Sequence, residues 1–322
     1  MEARNAEAAD RGAELITAAG VAAAAEGIAQ EFADTPQYVS PALSRELGAE
    51  VVIKVETANP IRSFKGRGGD WLVGCLPDPT PLACASAGNF GQGVAYAARR
   101  RGLEVHVFAA EGANAAKVSA MRDLGVDVRL AGGDLDEAKD HARTEAARRG
   151  WRFVEDGAEP AVTEGAGTIA VELCRWPEPF DAIVVPVGNG ALIGGVGTWM
   201  RAVAPATEVI GVVASAAPAM LLSWRGGRAV STPEAATVAD GIAVRVPVDR
   251  ALGVMADVVD DVVEVGEATL REAADLVSAA TGLLAEPAGS AGFAALLADP
   301  SRWRGRRVAI PLCGSNVRDR GR

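Results

Sequence analysis

The chain has 322 residues, a length that predicts two domains at roughly 150 residues each. Hydrophobic residues make up 49% and charged residues 23%, the balance of a folded globular protein rather than a disordered one. Lys plus Arg number 32 against 42 Asp plus Glu, a net charge of −10. That sign excludes nucleic acid and an anionic membrane as expected partners, because phosphate backbones and lipid headgroups need a basic surface. An anionic small molecule in a locally positive cleft stays open.

The N-terminal stretch from Met1 to Glu31 is rich in alanine but carries Glu2, Arg4, Glu7, Asp10, Arg11 and Glu14. It lacks the apolar core of a signal peptide, and no apolar run approaches the length of a membrane span. Cys75, Cys84, Cys174 and Cys313 form no C-x-x-C pair, which argues for reduced thiols rather than a zinc knuckle or redox dithiol. With only His106 and His141, a His-rich metal site is excluded. The expected compartment is the cytoplasm.

From residue 51 onward, short β-branched runs alternate with longer amphipathic stretches. Strands are predicted at Val51–Val55, Leu82–Ala85, Glu104–Phe108, Val126–Leu130, Ala182–Val187, Glu208–Val213, Val262–Val265 and Arg307–Leu312. Helices are predicted at Phe64–Val73, Gly91–Arg101, Ala115–Leu124, Asp134–Arg149, Val162–Trp176, Ala191–Val203, Glu267–Ala280 and Ala288–Ala298. Trp224–Thr237, with its Gly, Pro, Ser and Thr, reads as a long loop. The alternation implies an α/β fold of mostly parallel open sheets flanked by helices.

In such folds ligands sit beyond the carboxyl ends of the strands, where the next helix presents free N–H groups. Four junctions carry chemistry. In the first, Asn59-Pro-Ile-Arg-Ser-Phe-Lys-Gly-Arg-Gly-Gly69, Ser63 is the expected N-cap and Lys65 falls in the first helical turn, a poor place for a cation. Gly66, Gly68 and Gly69 each cost about 1 kcal/mol against Ala there, and are expected to let a flat or bulky group approach beside the lysine. In the second, Ser86-Ala-Gly-Asn-Phe-Gly-Gln-Gly93, N–H groups can converge on a carboxylate. The third, Gly188-Asn-Gly-Ala-Leu-Ile-Gly-Gly195, suits a phosphate; it lies past the middle of the chain with no acidic residue after the next strand, so a dinucleotide is disfavoured. The fourth is Cys313-Gly-Ser-Asn316, directly after the last strand. A lysine, a carboxylate cradle, a phosphate cradle and a weak hydrogen-bonding group suit a phosphorylated aldehyde held as a Schiff base beside an amino acid.

From about Ser40 to Asn316 the sequence resembles the fold-type II pyridoxal-phosphate enzymes, the tryptophan synthase β-subunit superfamily, and within them the threonine/serine dehydratases. The resemblance rests on Lys54-x-Glu56 with Asn59-Pro60, Ser63-Phe-Lys-Gly-Arg67, Ser86-Ala-Gly-Asn89, Gly188-Asn-Gly-Ala-Leu192, Thr237-Val-Ala-Asp-Gly241, Glu286-Pro-Ala-Gly289 and Cys313-Gly-Ser-Asn316. It implies pyridoxal 5′-phosphate on Lys65, which would later move the Cα proton. It implies Asn89 on the cofactor's 3′-oxygen, Gly188, Asn189, Gly190, Ala191 and Leu192 around the phosphate, and Cys313 at the pyridine nitrogen. Ser86, Ala87 and Gly88 would hold the substrate carboxylate, with Gly241 and Glu286 near its amine and side chain.

The resemblance also implies two domains with the cofactor in the cleft between them: residues 53–150 as the smaller, residues 1–52 with 151–322 as the larger. A homodimer is expected. The implied reaction is β-elimination of a β-hydroxy amino acid such as L-threonine or L-serine to a 2-oxo acid and ammonia. The alternative is a β-replacement synthase of the cysteine, diaminopropionate or threonine synthase kind. Several residues depart from the family pattern. Asn189 stands where Gly is usual, Phe90 where His is common, and Ile61-Arg62 replaces Thr-Gly. Ala87 lacks the hydroxyl that serine racemases use, and Ala214 lacks the acidic residue that often anchors a metal, so neither efficient racemisation nor a bound metal is expected.

Overall fold

The computed structural model describes residues 16–113 and 115–317, so the first fifteen residues of the alanine-rich N-terminal stretch lie outside the described part. In chain order the elements are α1 (Ala18–Gly27), β1 (Gln37–Val39), α2 (Pro41–Leu47), β2 (Glu50–Val55), α3 (Lys65–Gly74), β3 (Leu82–Ala85), α4 (Asn89–Arg101) and β4 (Val105–Ala109). Next come α5 (Ala115–Asp123), β5 (Asp127–Leu130), α6 (Leu135–Arg149), β6 (Arg152–Phe153), α7 (Pro160–Leu173), β7 (Ala182–Pro186), α8 (Ala191–Val203) and β8 (Glu208–Ala214). The remainder is α9 (Ala219–Gly226), a 3₁₀ turn at Asp240–Ile242, α10 (Asp249–Val258), β9 (Asp261–Val265), α11 (Glu267–Thr281), α12 (Ala291–Ala298), α13 (Pro300–Trp303) and β10 (Arg307–Leu312).

The strands form two sheets. The larger runs β1-β2-β10-β7-β8-β9, parallel except for β1, which pairs antiparallel with Tyr38 opposite Ile53. The smaller, β5-β4-β3-β6, is parallel throughout. All eight expected strands form within one residue of their expected ends. The two the sequence does not announce, β1 and β6, are edge strands of three and two residues, too short for any periodicity. Along the larger sheet, Val51, Ile53 and Val55 enter one core while Val52 enters the other, as side chains of period two must. Both faces are covered, so β7 is buried at every position and reads as an unbroken apolar run.

Among the helices, α9 corrects the expectation of a loop beginning at Trp224. Trp224–Gly226 is its last turn, nucleated by the apolar Ala219–Leu222 and closed by Gly227 at φ +64°. The glycines after Lys65 also serve a different purpose from the one expected. A Cβ at Gly66 would lie 2.1 Å from the Phe32 ring, one at Gly68 2.6 Å from the Val162 carbonyl oxygen, and one at Gly69 2.6 Å from the Gly93 carbonyl carbon. Their missing side chains let α3 lie directly on α4 and α7, so protein rather than ligand fills that space. This packing fixes the start of α3 and hence the lysine at its first position.

Candidate active site

Loops at the carboxyl ends of both sheets meet around one cleft of about 320 Å³. Its wall includes Lys65, Ser86, Ala87, Asn89, Gly188, Asn189, Gly190, Ala191, Leu192, Gly241, Glu286 and Cys313. The four separate junctions thus converge. Of the residues expected in the site, Gly88 alone is absent from the wall; it caps α4 one residue behind it.

The loop that carries Lys65 is shaped by Asn59. Its Oδ1 accepts from the N–H groups of Ile61 (3.1 Å) and Ser63 (3.3 Å), and its Nδ2 donates to the carbonyls of Glu56 (2.8 Å) and Ser63 (3.0 Å). Ser63 is not the N-cap of α3: that position is Phe64, in helical conformation with no side-chain cap. Instead the buried Ser63 hydroxyl donates to the Cys313 carbonyl at 3.2 Å, and the Phe64 N–H donates to the same oxygen at 3.1 Å. The Ser63 Oγ also accepts from the Lys65 N–H at 3.4 Å, and these bonds tie the lysine loop to the last strand's loop. Arg62 adopts φ +52°, a left-handed conformation suited to the glycine usual there, whereas Asn189 is not among the residues with positive φ.

Behind α3 lies a buried cluster of two cations and two carboxylates. Arg67 donates through Nε and Nη2 to Glu56 at 2.7 and 2.9 Å and through both terminal nitrogens to Glu172 at 2.6 and 2.9 Å. Lys54 donates to Glu172 and, at 2.6 Å, to the Thr35 carbonyl. Burial is the largest influence on both partners of the Lys54–Glu172 pair, but with opposite outcomes. It pushes Lys54 down, while at Glu172 the hydrogen bonds and charges of Arg67 and Lys54 overcome it and hold the carboxyl at about 2. Glu172 therefore stays ionised.

The phosphate cradle is the turn between β7 and α8. Gly190 has φ +88°, and a Cβ there would sit 2.8 Å from that of Ala251. The backbone N–H groups of Gly188, Asn189 and Gly190 donate to no atom among the described residues, and those of the first turn of α8 have no intrahelical partner by construction. Free donors at a helix N-terminus, with backbone rather than side chains facing the space, fit a phosphate monoester. On the opposite wall, the Ser86 hydroxyl accepts from Gly88 (3.1 Å) and Gly91 (3.0 Å), shaping the turn before α4. Asn89 is oriented by Asn316, whose Nδ2 donates to its Oδ1 at 2.9 Å, and by Glu286, whose Oε1 accepts from its Nδ2 at 3.2 Å. Cys313 is buried and its thiol donates to the Pro311 carbonyl at 3.3 Å; burial above all pushes it well above the ordinary thiol range, so it is uncharged.

Among the charged residues of the cleft that were not legible in the sequence, two pair with residues expected in it or beside them. Lys117, on α5, pairs with Asp240 at 2.7 Å and lies 3.6 Å from Glu286. Burial pulls its pKa down, but Glu286 and Asp240 outweigh that and raise it. Asp156, after the two-residue β6, holds the Lys65 amine between its two oxygens at 2.7 and 2.6 Å. Lys117 lies on a helix and Asp156 after a two-residue strand, and neither segment carries a motif that marks the residue.

Comparison with known proteins agrees with this geometry. The family described as "Pyridoxal-phosphate dependent enzyme" matches residues 28–314. An L-threonine ammonia-lyase of Thermotoga maritima is 35% identical over 281 residues, covering 86% of this chain and 70% of its own. Among solved structures, a threonine deaminase of T.th. superposes with a TM-score of 0.90 at 30% identity, covering 95% of this chain and 100% of that one. Maize serine racemase gives a TM-score of 0.89 at 25% identity, covering 94% of each.

Proposed function

Because this chain belongs to the pyridoxal-phosphate-dependent enzyme family, we propose that it eliminates ammonia from a β-hydroxy amino acid such as L-threonine or L-serine, releasing a 2-oxo acid. The carrying observation is that the Lys65 amine and the free N–H groups from Gly188 onward face one cleft of about 320 Å³. That volume lies within the range of small-molecule sites.

Pyridoxal phosphate bound here supplies an aldehyde for an amine to bond and a conjugated ring that takes up charge released at Cα. In this reading the N–H groups of Gly188 to Leu192 hold the phosphate, and Lys65 is the amine that anchors the aldehyde. Asn89, fixed by Asn316 and Glu286, takes the ring oxygen. The uncharged Cys313 would serve as the partner of the ring nitrogen, and a neutral thiol would lend it less negative charge than a carboxylate. Ser86 and Ala87, with Gly88 shaping the turn behind them, would hold the substrate carboxylate, while Gly241 and Glu286 would border its amine and side chain. The free Lys65 Nζ would be the base that removes the Cα proton.

The likeness to the dehydratases also supports the division into a smaller domain of residues 53–150 and a larger one of the remainder, and a cytoplasmic homodimer. Among the described residues no helix is long and apolar enough to cross a membrane. The direct test is to incubate the cofactor-loaded protein with L-threonine or L-serine alone and measure 2-oxo acid and ammonia. Sustained release is expected. A single stalled turnover awaiting a second nucleophile would replace this reading with a β-replacement synthase, and an unchanged visible absorbance of bound cofactor in Lys65→Ala would remove the lysine from the chemistry.

A further inference from the structure

Resting on the assignment of Lys65 above, we infer that Asp156 is a further catalytic residue, the counter-ion that receives the Lys65 ammonium after Lys65 has taken the Cα proton. Both carboxylate oxygens of Asp156 lie against Nζ, at 2.7 and 2.6 Å, and the two side chains are only 14% and 15% exposed. Among the described residues Lys65 is the one hydrogen-bond or ion-pair partner of the Asp156 carboxylate. The Phe64 and Phe90 rings flank the same nitrogen, with centroids 4.8 and 5.9 Å away. A carboxylate and two aromatic rings make a place for a cation, not for a neutral amine.

The carboxylate is held from both ends of its segment. Upstream, the Val154 N–H donates to the Ala83 carbonyl at 2.8 Å, continuing the pairing of β6 with β3. Downstream, the Cα of Gly157 lies on the phosphate loop, where a Cβ would come within 2.4 Å of the Asn189 carbonyl oxygen. Asp156 is therefore fixed relative to both the lysine and the loop proposed to hold the phosphate.

The chemistry needs such a partner. Lys65 must be neutral to attack and becomes an ammonium once it accepts a proton, so it alternates between two charge states in each turnover. When the Cα–H bond breaks, its electron pair stays with Cα and the conjugated acceptor, and the proton goes to Nζ. When the Cβ–O bond breaks, the oxygen leaves with that bond's electron pair and takes the proton from Nζ, departing as water. Asp156 keeps its charge throughout and steadies Nζ between the two transfers. With no carboxylate there, the Lys65 ammonium would sit unpaired in a largely buried cleft, at a cost that slows both steps.

The experiment compares Asp156→Asn, Asp156→Ala, Asp156→Glu and the unaltered protein in three readouts: cofactor capture by visible absorbance, the absorbance change on adding amino acid, and oxo-acid release. For Asp156→Asn, capture should be unchanged or faster, since no ion pair has to be broken, and substrate should still alter the absorbance promptly. Oxo-acid release should fall roughly a hundredfold in kcat with KM within about threefold, in the range of acid–base partners. Asp156→Glu should recover part of the rate, and formate should accelerate Asp156→Ala in proportion to its concentration. Release within threefold of the unaltered protein, or loss of cofactor capture in parallel with turnover, would overturn the inference and leave Asp156 a structural residue. Retained cofactor absorbance in Lys65→Ala would instead overturn the assignment of the lysine itself.

Discussion

Replacing Glu172 with Gln probes the buried charge cluster that anchors the helix of Lys65. In the folded chain Arg67 and Lys54 hold the Glu172 carboxyl at about 2, against an unperturbed 4.5. A depression of that size corresponds to about 3 kcal/mol of stability at neutral pH. Glutamine preserves the shape but leaves Arg67 and Lys54 facing Glu56 alone, and removing one member of a buried pair costs about 3–5 kcal/mol, so the two routes to the magnitude agree. Because the folded pKa is depressed, this stability is fully present above pH 4.5 and is lost as pH falls toward 2. Urea unfolding followed by tryptophan fluorescence at a series of pH values is the assay. The gap between unaltered and variant protein should be about 3 kcal/mol at pH 7 and should narrow below pH 4.5. A gap under 1 kcal/mol at pH 7, or one that stays constant down to pH 3, would refute the argument.

Three other outcomes follow from particular residues. Arg62→Gly should raise stability by roughly 0.5–1 kcal/mol in the same assay, since the exposed Arg62 occupies φ +52° and relief of that strain exceeds glycine's entropic disadvantage. Gly190→Ala, which combines φ +88° with a Cβ 2.8 Å from that of Ala251, should weaken cofactor binding at least tenfold in an absorbance titration while the far-ultraviolet circular dichroism is retained. In timed alkylation with mass spectrometry, Cys84 and Cys313 should stay unmodified until the protein unfolds. Both are buried, burial pushing Cys84 up to about 12, whereas the exposed Cys75 should label first.

The strands at the centres of both sheets were legible because burial on two faces demands uninterrupted Val, Ile, Leu and Ala, and few other structures need that. The short edge strands were not, because Gln37–Val39 and Arg152–Phe153 hold too few residues to establish a period. α9 was hidden differently. Its apolar run Ala219–Leu222 is followed by Ser, Gly, Pro and Thr, and composition over a window averaged the two. The glycines after Lys65 show that a residue type can be noticed correctly and explained incorrectly. Sequence gives the absence of a side chain, but only the packing of α3 on α4 and α7 tells what occupies the space.

The same distinction separates the parts of the site that could be read from those that could not. Gly188 to Leu192 and Ser86 to Asn89 work largely through backbone N–H groups, and backbone geometry is written locally, in glycines and small polar residues between a strand and a helix. Asp156 and Lys117 act through side-chain charges that meet partners 91 and 123 residues away. No local pattern encodes such a meeting; it exists only once β6 has paired with β3 and α5 has closed over the 3₁₀ turn at Asp240. Missing β6 therefore had a chemical consequence. An unrecognised two-residue strand concealed a fifth junction of the same kind as the other four, and at its end stood the carboxylate nearest the reactive amine.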